Sequence, residues 1–148
     1  MTAQEYLAQL EVIETRIQTL RFDILYLQEL ALSITPNYES KQGQASGSLQ
    51  RTASAVDSWV DKEREMNNEL VELANKRLEI AGTIGRLRKA KESGVLHMLY
   101  IQKKSFKEIG QHYEKSESWA KSIHGRALQS LQRELDARGA CPDLSEIV

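Results

Sequence analysis

The sequence predicts an all-α protein in which a long antiparallel helical hairpin, of the coiled-coil type, precedes a helix-turn-helix domain. Two observations indicate this fold. Apolar residues recur at alternating intervals of three and four through much of the first 91 residues, which is the spacing of one helical face. Glycine and proline are sparse, with 8 and 2 residues, and no segment alternates apolar and polar side chains as a half-buried strand would.

The first predicted helix covers about residues 2–34 and carries an apolar seam of about four heptads. Thr35 and Pro36 end it, because the residue before a proline avoids the helical region. A polar loop, 35–48, follows. The seam consists of Tyr6, Leu10, Ile13, Ile17, Leu20, Ile24, Leu27, Ala31 and Ile34.

The second predicted helix covers about residues 49–91 and would be roughly 60 Å long at about 1.5 Å per residue. The two helices form a predicted oligomerisation arm, 1–91, and Gly94 is a predicted hinge before the next domain. The seam of the second helix consists of Val56, Trp59, Glu63, Met66, Leu70, Leu73, Arg77, Ile80, Ile84 and Leu87.

The length of the loop predicts how the two helices pair. Ile34 would lie near Leu49 and Tyr6 opposite Arg77, so that Ile80 and later residues would have no partner in the first helix. Two helices also leave much of their apolar seams uncovered, which predicts a homo-oligomer, most simply a dimer with a four-helix core. The residues expected to mediate assembly are Leu10, Ile13, Ile17, Leu20, Ile24, Leu27, Glu63, Met66, Leu70, Leu73 and Arg77.

Two of those seam positions are charged. Glu63 and Arg77 lie symmetrically about Leu70, and an antiparallel dimer that crosses there would place each Glu63 opposite Arg77 of the second copy. Polar residues at seam positions commonly determine register at some cost in stability. In the alternative interpretation both charged groups reach past the seam into water while their stems pack.

The predicted helix-turn-helix domain covers residues 94–138. Phe106, Ile109 and Tyr113 form the apolar stripe of a short helix. Gly110 has no side chain, so a crossing helix can come close to it, and Ser116 provides a hydroxyl that can cap the next helix. A short helix, a tight turn and a capped second helix are typical of DNA-binding helix-turn-helix motifs. The alternative is a helical hairpin that binds only protein. The stripe of the second helix consists of Trp119, Ala120, Ile123, Ala127, Leu128, Leu131 and Leu135.

The charge distribution favours DNA as the partner. The chain has a net charge of −1, but residues 86–138 carry 12 basic and 6 acidic side chains, while residues 1–85 carry 8 and 13. This distribution is typical of a protein whose basic segment neutralises DNA phosphates while its acidic segment does not contact DNA. A basic run follows at the end of the long helix. It either reaches flanking DNA or is simply exposed to water at a helix C-terminus, where the helix dipole favours cations. The run consists of Arg86, Arg88, Lys89 and Lys91.

Residues 94–135 resemble region 4 of bacterial sigma factors. The matching residues are VLHMLYI at 95–101, Glu108-Ile109-Gly110, Ser116, Ile123, Arg126-Ala127-Leu128 and Leu131. The resemblance implies that residues 117–135 form a recognition helix that lies in the major groove of double-stranded DNA.

The chain from about residue 4 to 135 is also similar to a family of small phage proteins of Gram-positive hosts, allied to ArpU-type late transcription regulators. EYLAQLEVIETRI near the start, ITP at 34–36 and HGRAL at 124–128 carry this likeness. It implies a transcription regulator that activates late genes. The residues leave open whether host RNA polymerase is contacted, and two alternatives remain: a small-terminase-like DNA-packaging subunit, and a coiled-coil adaptor that binds protein without DNA.

The sigma-like pattern assigns roles on the recognition helix. Lys121 is the predicted base contact, since an ammonium donates to guanine edges, and Gly125 lies on the same face. The predicted base-reading residues are Glu117, Ser118, Lys121 and Ser122. The predicted phosphate contacts, which position the protein without reading sequence, are Lys103, Lys104, Lys107, Lys115 and Arg126.

Four residues depart from simple expectation. Glu114 occupies the turn position where such motifs often carry glycine. A left-handed backbone there would cost about 1 kcal/mol, and the alternative is that the longer turn HYEKSES uses another geometry. Trp119 is expected to pack on Phe106 or Tyr113, with contact to a DNA sugar as the alternative. Gly125, in the middle of a helix, suggests that a backbone or partner comes close, and a role for His124 in pH sensing or phosphate contact stays open.

Other classes of function are disfavoured. The three histidines and the single Cys141 show no metal-ligand or catalytic spacing, and no phosphate-binding loop or nucleophile motif is present. We therefore expect no enzyme activity, cofactor, metal or small-molecule substrate. No apolar run approaches the roughly 20 residues that cross a bilayer, and no signal pattern is seen, which predicts a cytoplasmic protein without a membrane partner. Residues 139–148 are expected to form a flexible tail.

Overall fold

A computed structural model of the protein describes residues 1–40 and 46–138, with the side chains of 34–53 outside this description. The described residues form α-helices, one π-helical turn and short connections, without a strand. This confirms the all-α prediction. The helices are α1 (Ala3–Ser40), α2 (Ser46–Gly85), α3 (Ala90–Leu96), α4 (Phe106–His112) and α5 (Glu117–Ala137), and the π-helical turn is His97–Ile101, directly after α3.

The chain divides into two compact units. One combines Met1–Glu14 with the chain from Asn75 onward, and the other is Thr15–Ala74. This division differs from the predicted boundary near residue 91, because the first turns of α1 and the end of α2 associate with the C-terminal helices. The predicted tail, 139–148, and Cys141 lie outside the described residues.

The unit Thr15–Ala74 is an antiparallel pair of helix segments. Arg16 donates to both carboxylate oxygens of Glu69, at 2.8 and 3.1 Å, and the Gln28 amide donates to Glu63 at 2.8 Å. Partner numbers rise along α1 while they fall along α2, as an antiparallel hairpin requires. Leu20, Ile24 and Leu73 are buried in the seam, where each apolar side chain contributes about 1.5–3 kcal/mol relative to exposure.

The register differs from the predicted one. In the unit that contains Met1–Glu14, the Tyr6 hydroxyl donates to Thr83 at 3.0 Å and Arg77 donates to Glu14 at 3.2 Å, so Tyr6 does not face Arg77. Ile80 and Ile84 are fully buried and not left without a partner.

The bounds of the two long helices also differ from the predicted ones. The predicted end of α1 at Pro36 is wrong, since the helix continues to Ser40 and α2 already begins at Ser46. A proline removes one backbone donor and crowds the preceding turn, which disfavours a helix locally without forbidding it. The predicted contact of Ile34 with Leu49 lies outside the described side chains.

The predicted assembly residues are largely used within the chain. Glu63 accepts a hydrogen bond from Gln28 and Arg77 donates to Glu14, so each has a polar partner within the chain. The predicted pairing of Glu63 with Arg77 across a dimer stays a prediction. The buried members of the set are Leu10, Ile13, Leu20, Ile24 and Leu73, and the partly buried ones are Ile17, Leu27, Glu63, Met66, Leu70 and Arg77.

The break between the long hairpin and the C-terminal helices lies at 86–89, not at Gly94. Gly94 is inside α3, and a side chain there would collide with the Tyr113 hydroxyl. Its lack of a side chain therefore serves close packing of α3 on the residue that follows α4. The hinge predicted at Gly94 is wrong, because a glycine can equally mark a close approach.

The start of the chain is held against its C-terminal helix. The Ala3 amide donates to the Gln132 side chain at 2.7 Å, and the Arg138 guanidinium donates to Thr83 at 3.1 Å. Thr83 itself is fully buried and accepts from Tyr6 as well. A buried hydroxyl with partners on two other segments connects α1, α2 and α5 in this unit.

The C-terminal helices share a small apolar core. Buried side chains from α3, the π-helical turn, α4 and α5 meet in it, and partly buried aromatic rings surround them. Within the described residues, no helix is long and apolar enough to cross a membrane. The core consists of Val95, Met98, Ile109, Ala120 and Ile123, with Leu99, Phe106, Tyr113 and Trp119 packed around it.

Replacing Gly110 with alanine tests how the turn after α4 closes. A Cβ at Gly110 would lie 2.8 Å from the Ser116 carbonyl oxygen and 2.9 Å from that of Lys115, and backbone atoms cannot move aside as a flexible side chain can. We expect Gly110→Ala to lower the free energy of unfolding by about 1–3 kcal/mol, measured by urea denaturation.

Gly82→Ala is the matched control, since its Cβ would meet only the Arg86 guanidinium at an ordinary 3.6 Å. We expect it to be neutral or stabilising, because alanine is the better helix former. Equal stability of the two variants would contradict the close approach at Gly110.

Candidate nucleic-acid interface

Both helices of the C-terminal motif begin at a serine cap. The Glu108 amide donates to the Ser105 hydroxyl at 3.2 Å, and the Trp119 amide donates to the Ser116 hydroxyl at 3.0 Å. Each cap satisfies one of the amides that a helix start leaves unpaired, and is worth about 1 kcal/mol. The N-cap predicted at Ser116 is confirmed, and it sets where α5 begins.

The turn between α4 and α5 has the hydrogen bonds of a Schellman motif. The Lys115 amide donates to the Gly110 carbonyl at 2.7 Å, and the Glu114 amide donates to the Gln111 carbonyl at 3.1 Å. Such a motif requires a left-handed residue after the helix cap. Glu114 takes that conformation, with φ of 56°, so of the two turn geometries that the sequence left open the left-handed one is formed.

A second left-handed residue was not anticipated. Lys103 has φ of 59° and follows the π-helical turn, whose end is closed by the Lys104 amide donating to the Met98 carbonyl at 2.9 Å. This reversal leads the chain from α3 into α4. The sequence has no glycine, asparagine or proline at this point to mark the turn, so tertiary packing must hold it.

One face of α5 is exposed to solvent. Glu117, Ser118, Lys121 and Ser122 are all exposed, and so is Gly125. Residues four apart share a helical face, so these side chains form one continuous surface across two turns of α5. The Lys121 ammonium lies 3.6 Å from the Glu117 carboxylate, which orients it along the helix.

The five predicted phosphate contacts differ in their surroundings. Lys107, Lys115 and Arg126 are exposed, and Lys104 is partly buried. Lys103 instead forms an ion pair with Glu14 at 3.4 Å. Because its charge is already matched by a carboxylate, Lys103 is less suited than the other four candidates to the predicted phosphate contact.

Trp119 packs within the motif. Its ring lies 5.4 Å from that of Tyr113, and the Lys91 ammonium lies 5.9 Å from the indole centroid. The predicted packing of Trp119 on Tyr113 is confirmed. The cation over the ring adds about 0.5–1 kcal/mol at an exposed site and brings one member of the basic run 86–91 to the start of α5.

His124 lies on α5 in an aromatic environment. Its Nε2 is 2.9 Å from the Tyr100 hydroxyl, and its ring is 5.4 Å from that of Phe106 in an edge-on arrangement. Partial burial disfavours the charged forms, so it lowers the pKa of His124 below the ordinary 6.5 and raises the pKa of Tyr100 above the ordinary 10.0. Through its contact with Tyr100, His124 links α5 to the π-helical turn.

A buried carboxylate was missed by the sequence analysis. Glu92 on α3 is 4% exposed, accepts a hydrogen bond from the Ser130 hydroxyl on α5, and lies 3.9 Å from the Lys89 ammonium. It belongs to no apolar stripe, and only its packing identifies it as a link between α3 and α5. No group of three histidine, cysteine, aspartate or glutamate side chains that could hold a metal occurs within 1–40 and 46–138.

Two helices joined by a Schellman turn, the second capped and exposed along one face, define a helix-turn-helix domain of the DNA-binding class. Residues 89–133 match the family model for region 4 of sigma-70. The match covers less than a third of the chain, so it describes the C-terminal domain and leaves the hairpin outside. No curated protein and no solved structure gives a significant match.

The buried position of His124 predicts a pH-dependent stability. Because folding lowers its pKa, the unfolded chain takes up a proton more readily once the pH falls below about 6.5. The stability that His124 contributes is therefore present above that pH and declines below it. We expect the difference in free energy of unfolding between wild type and His124→Gln to shrink between pH 7.5 and pH 5, measured by chemical denaturation at each pH.

His112→Gln is the control, because His112 is exposed on α4. At pH 7.5 we expect its free energy of unfolding to stay close to that of the wild type, because an exposed side chain contributes little packing. If the His124→Gln profile is parallel to the wild-type profile, burial does not govern the titration of His124.

Proposed function

We propose that the protein is a sequence-specific regulator of transcription that binds double-stranded DNA as a homo-oligomer, with α5 in the major groove. One observation carries the proposal: the exposed face of α5 presents Lys121, Ser118 and Ser122 from a helix that is capped, packed and joined to α4 by a closed turn. Rigid presentation of short polar side chains suits the reading of base edges.

The charges around this face support DNA as the ligand. Lys107, Lys115 and Arg126 are exposed, and residues 86–138 carry 12 basic against 6 acidic side chains. Phosphate contacts of this kind set position and supply affinity that falls steeply with salt. An adaptor that binds protein through apolar contacts would show little dependence on salt.

The biological role follows from the resemblance to late transcription regulators of phages. On that ground we propose activation of late genes, with contact to host RNA polymerase as a further element that the likeness to sigma region 4 suggests. A reporter fused to a late promoter measures the activation. Chemical crosslinking to purified polymerase measures the contact separately.

Binding to DNA fragments tiled across the source genome tests the proposal. We expect the wild-type protein to bind one intergenic fragment tightly, and Lys121→Ala to lose about 1–3 kcal/mol of affinity for it, roughly 5- to 150-fold. Affinity for unrelated fragments should change less, so the sequence preference relaxes. Fluorescence anisotropy at two salt concentrations gives both the affinity and the salt slope.

Arg133→Ala is the matched control. Arg133 is an exposed cation of the same helix that donates to the Gln129 carbonyl at 3.4 Å, and it lies off the predicted DNA face. We expect it to bind the preferred fragment like wild type. Uniformly weak binding to every fragment would favour the packaging subunit, and no binding at low salt would favour the protein adaptor.

Gly125 provides a second test of the DNA face. Alanine is up to about 1 kcal/mol better than glycine inside a helix, and nothing in the described structure lies within 4 Å of a Cβ at Gly125. Gly125→Ala should therefore raise the melting temperature. We expect it to weaken binding to the preferred fragment at least several-fold, because the added methyl group would stand where α5 meets DNA.

Gly82→Ala, on α2, serves as the control for stability without a change in DNA affinity. A Gly125→Ala variant that gains stability and keeps full affinity would show that DNA does not approach α5 at this position.

A further inference from the structure

The Glu14 carboxylate on α1 is shared by two cations. Its Oε1 lies 3.2 Å from the Arg77 Nε, and its Oε2 lies 3.4 Å from the Lys103 ammonium. Arg77 is on α2, while Lys103 belongs to the short connection between the π-helical turn and α4. All three residues belong to the unit that carries α5. A carboxylate from the start of the chain therefore reaches the helix-turn-helix domain.

The two cations of Glu14 are held differently. Arg77 donates a hydrogen bond to the carboxylate through its Nε, whereas Lys103 forms an ion pair with a side chain that is itself 50% exposed. An ion pair at the surface contributes little to stability, because water competes for both charges. The Lys103 ammonium can therefore leave Glu14 at small cost, and Glu14 then still has Arg77 as its partner.

The backbone of Lys103 is fixed independently of its side chain. Its φ is 59°, and the Lys104 amide, next along the chain, donates to the Met98 carbonyl at 2.9 Å. Two residues after Lys103, the Ser105 hydroxyl caps α4 by accepting from the Glu108 amide at 3.2 Å. A closed turn on one side and a capped helix start on the other keep Lys103 next to the first turn of α4, whichever anion its ammonium binds.

Lys103 is one of three lysines around the start of α4 that are predicted to contact phosphate. Lys107 is exposed and Lys104 is partly buried. Among the residues that the structure describes, Lys103 is the member of this group that has a carboxylate partner. Glu14 thus places a negative charge at one end of the predicted phosphate contacts, where a DNA phosphate would carry the same charge.

We propose that Glu14 competes with DNA phosphate for Lys103 and thereby lowers the affinity of the protein for DNA. On binding, the Lys103 ammonium exchanges the Glu14 carboxylate for a phosphate oxygen, while Glu14 stays on Arg77. The inference rests on the proposed function and deepens it, because it names a residue outside the helix-turn-helix domain that sets DNA affinity. Phosphate contacts carry no sequence information, so the competition lowers the affinity for every DNA alike.

A double-mutant cycle on the full chain tests the competition, with fluorescence anisotropy on the preferred fragment and on an unrelated one. We expect Glu14→Gln to raise the affinity for both fragments by about two- to five-fold, and to steepen the dependence on salt by up to about one phosphate contact. In a Lys103→Gln background, Glu14→Gln should have no effect, because the cation for which Glu14 competes is gone.

Two further variants separate competition from overall charge and from misfolding. Glu11→Gln removes the same charge at an exposed position of α1 in the same unit, and should leave DNA affinity unchanged. Lys107→Gln should cost more affinity than Lys103→Gln, because no carboxylate of the described chain holds Lys107. This second comparison does not depend on whether Glu14→Gln folds. Urea denaturation of Glu14→Gln checks its fold, since a glutamine carbonyl still accepts from Arg77.

A folded Glu14→Gln protein that binds DNA like wild type would overturn the proposal. So would a gain that persists in the Lys103→Gln background or appears equally in Glu11→Gln, because Glu14 would then act only by general repulsion. If Lys121→Ala still relaxes the sequence preference, these outcomes remove the competition and leave the regulator standing. A wild-type protein that binds no DNA at low salt would overturn both.

Discussion

The orientation of α5 depends on the close approach at Gly110. The backbone of Lys115 and Ser116 lies where a side chain of residue 110 would be, and the Lys115 amide closes the turn on the Gly110 carbonyl. This contact forces Glu114 into a left-handed conformation that costs about 1 kcal/mol. The packing of Ile109 and Trp119 in the apolar core of the C-terminal helices offsets that cost. Because the turn is closed, the Ser116 cap and the exposed face of α5 have a single direction relative to α4.

The C-terminal motif does not stand alone within its unit. Thr83 on α2 accepts from both Tyr6 and Arg138, and Glu14 is shared by Arg77 and Lys103. Buried hydroxyls and shared carboxylates are costly to leave unpaired. The first fourteen residues are therefore a structural part of the unit that carries α5. Truncating the chain before the family match, which begins at residue 89, would remove Thr83 and Glu14 and so take these partners from Arg138 and Lys103.

Apolar residues lie on more than one face of α1, and this contributes to the mismatch between predicted and observed contacts. A heptad pattern reports that a face is apolar but not which partner covers it. The seam with Leu20 and Ile24 is covered by the chain's own second helix. Phe22 and Leu32 lie outside this seam and stay exposed. Intrachain pairing takes the more apolar face because it requires no loss of translational freedom.

The sequence by itself determined the local features: helical periodicity, the Ser116 cap, the position of the turn around Glu114, and the basic C-terminal domain with Lys121 on an exposed face. These depend on residues within a few positions of one another, so spacing alone reveals them. Only the tertiary structure decided the register of the hairpin, the break at 86–89, the π-helical turn at His97–Ile101 and the Glu92–Ser130 link. Each of these features depends on contacts between residues far apart in the chain. A local sequence pattern does not show which of the possible long-range contacts will form.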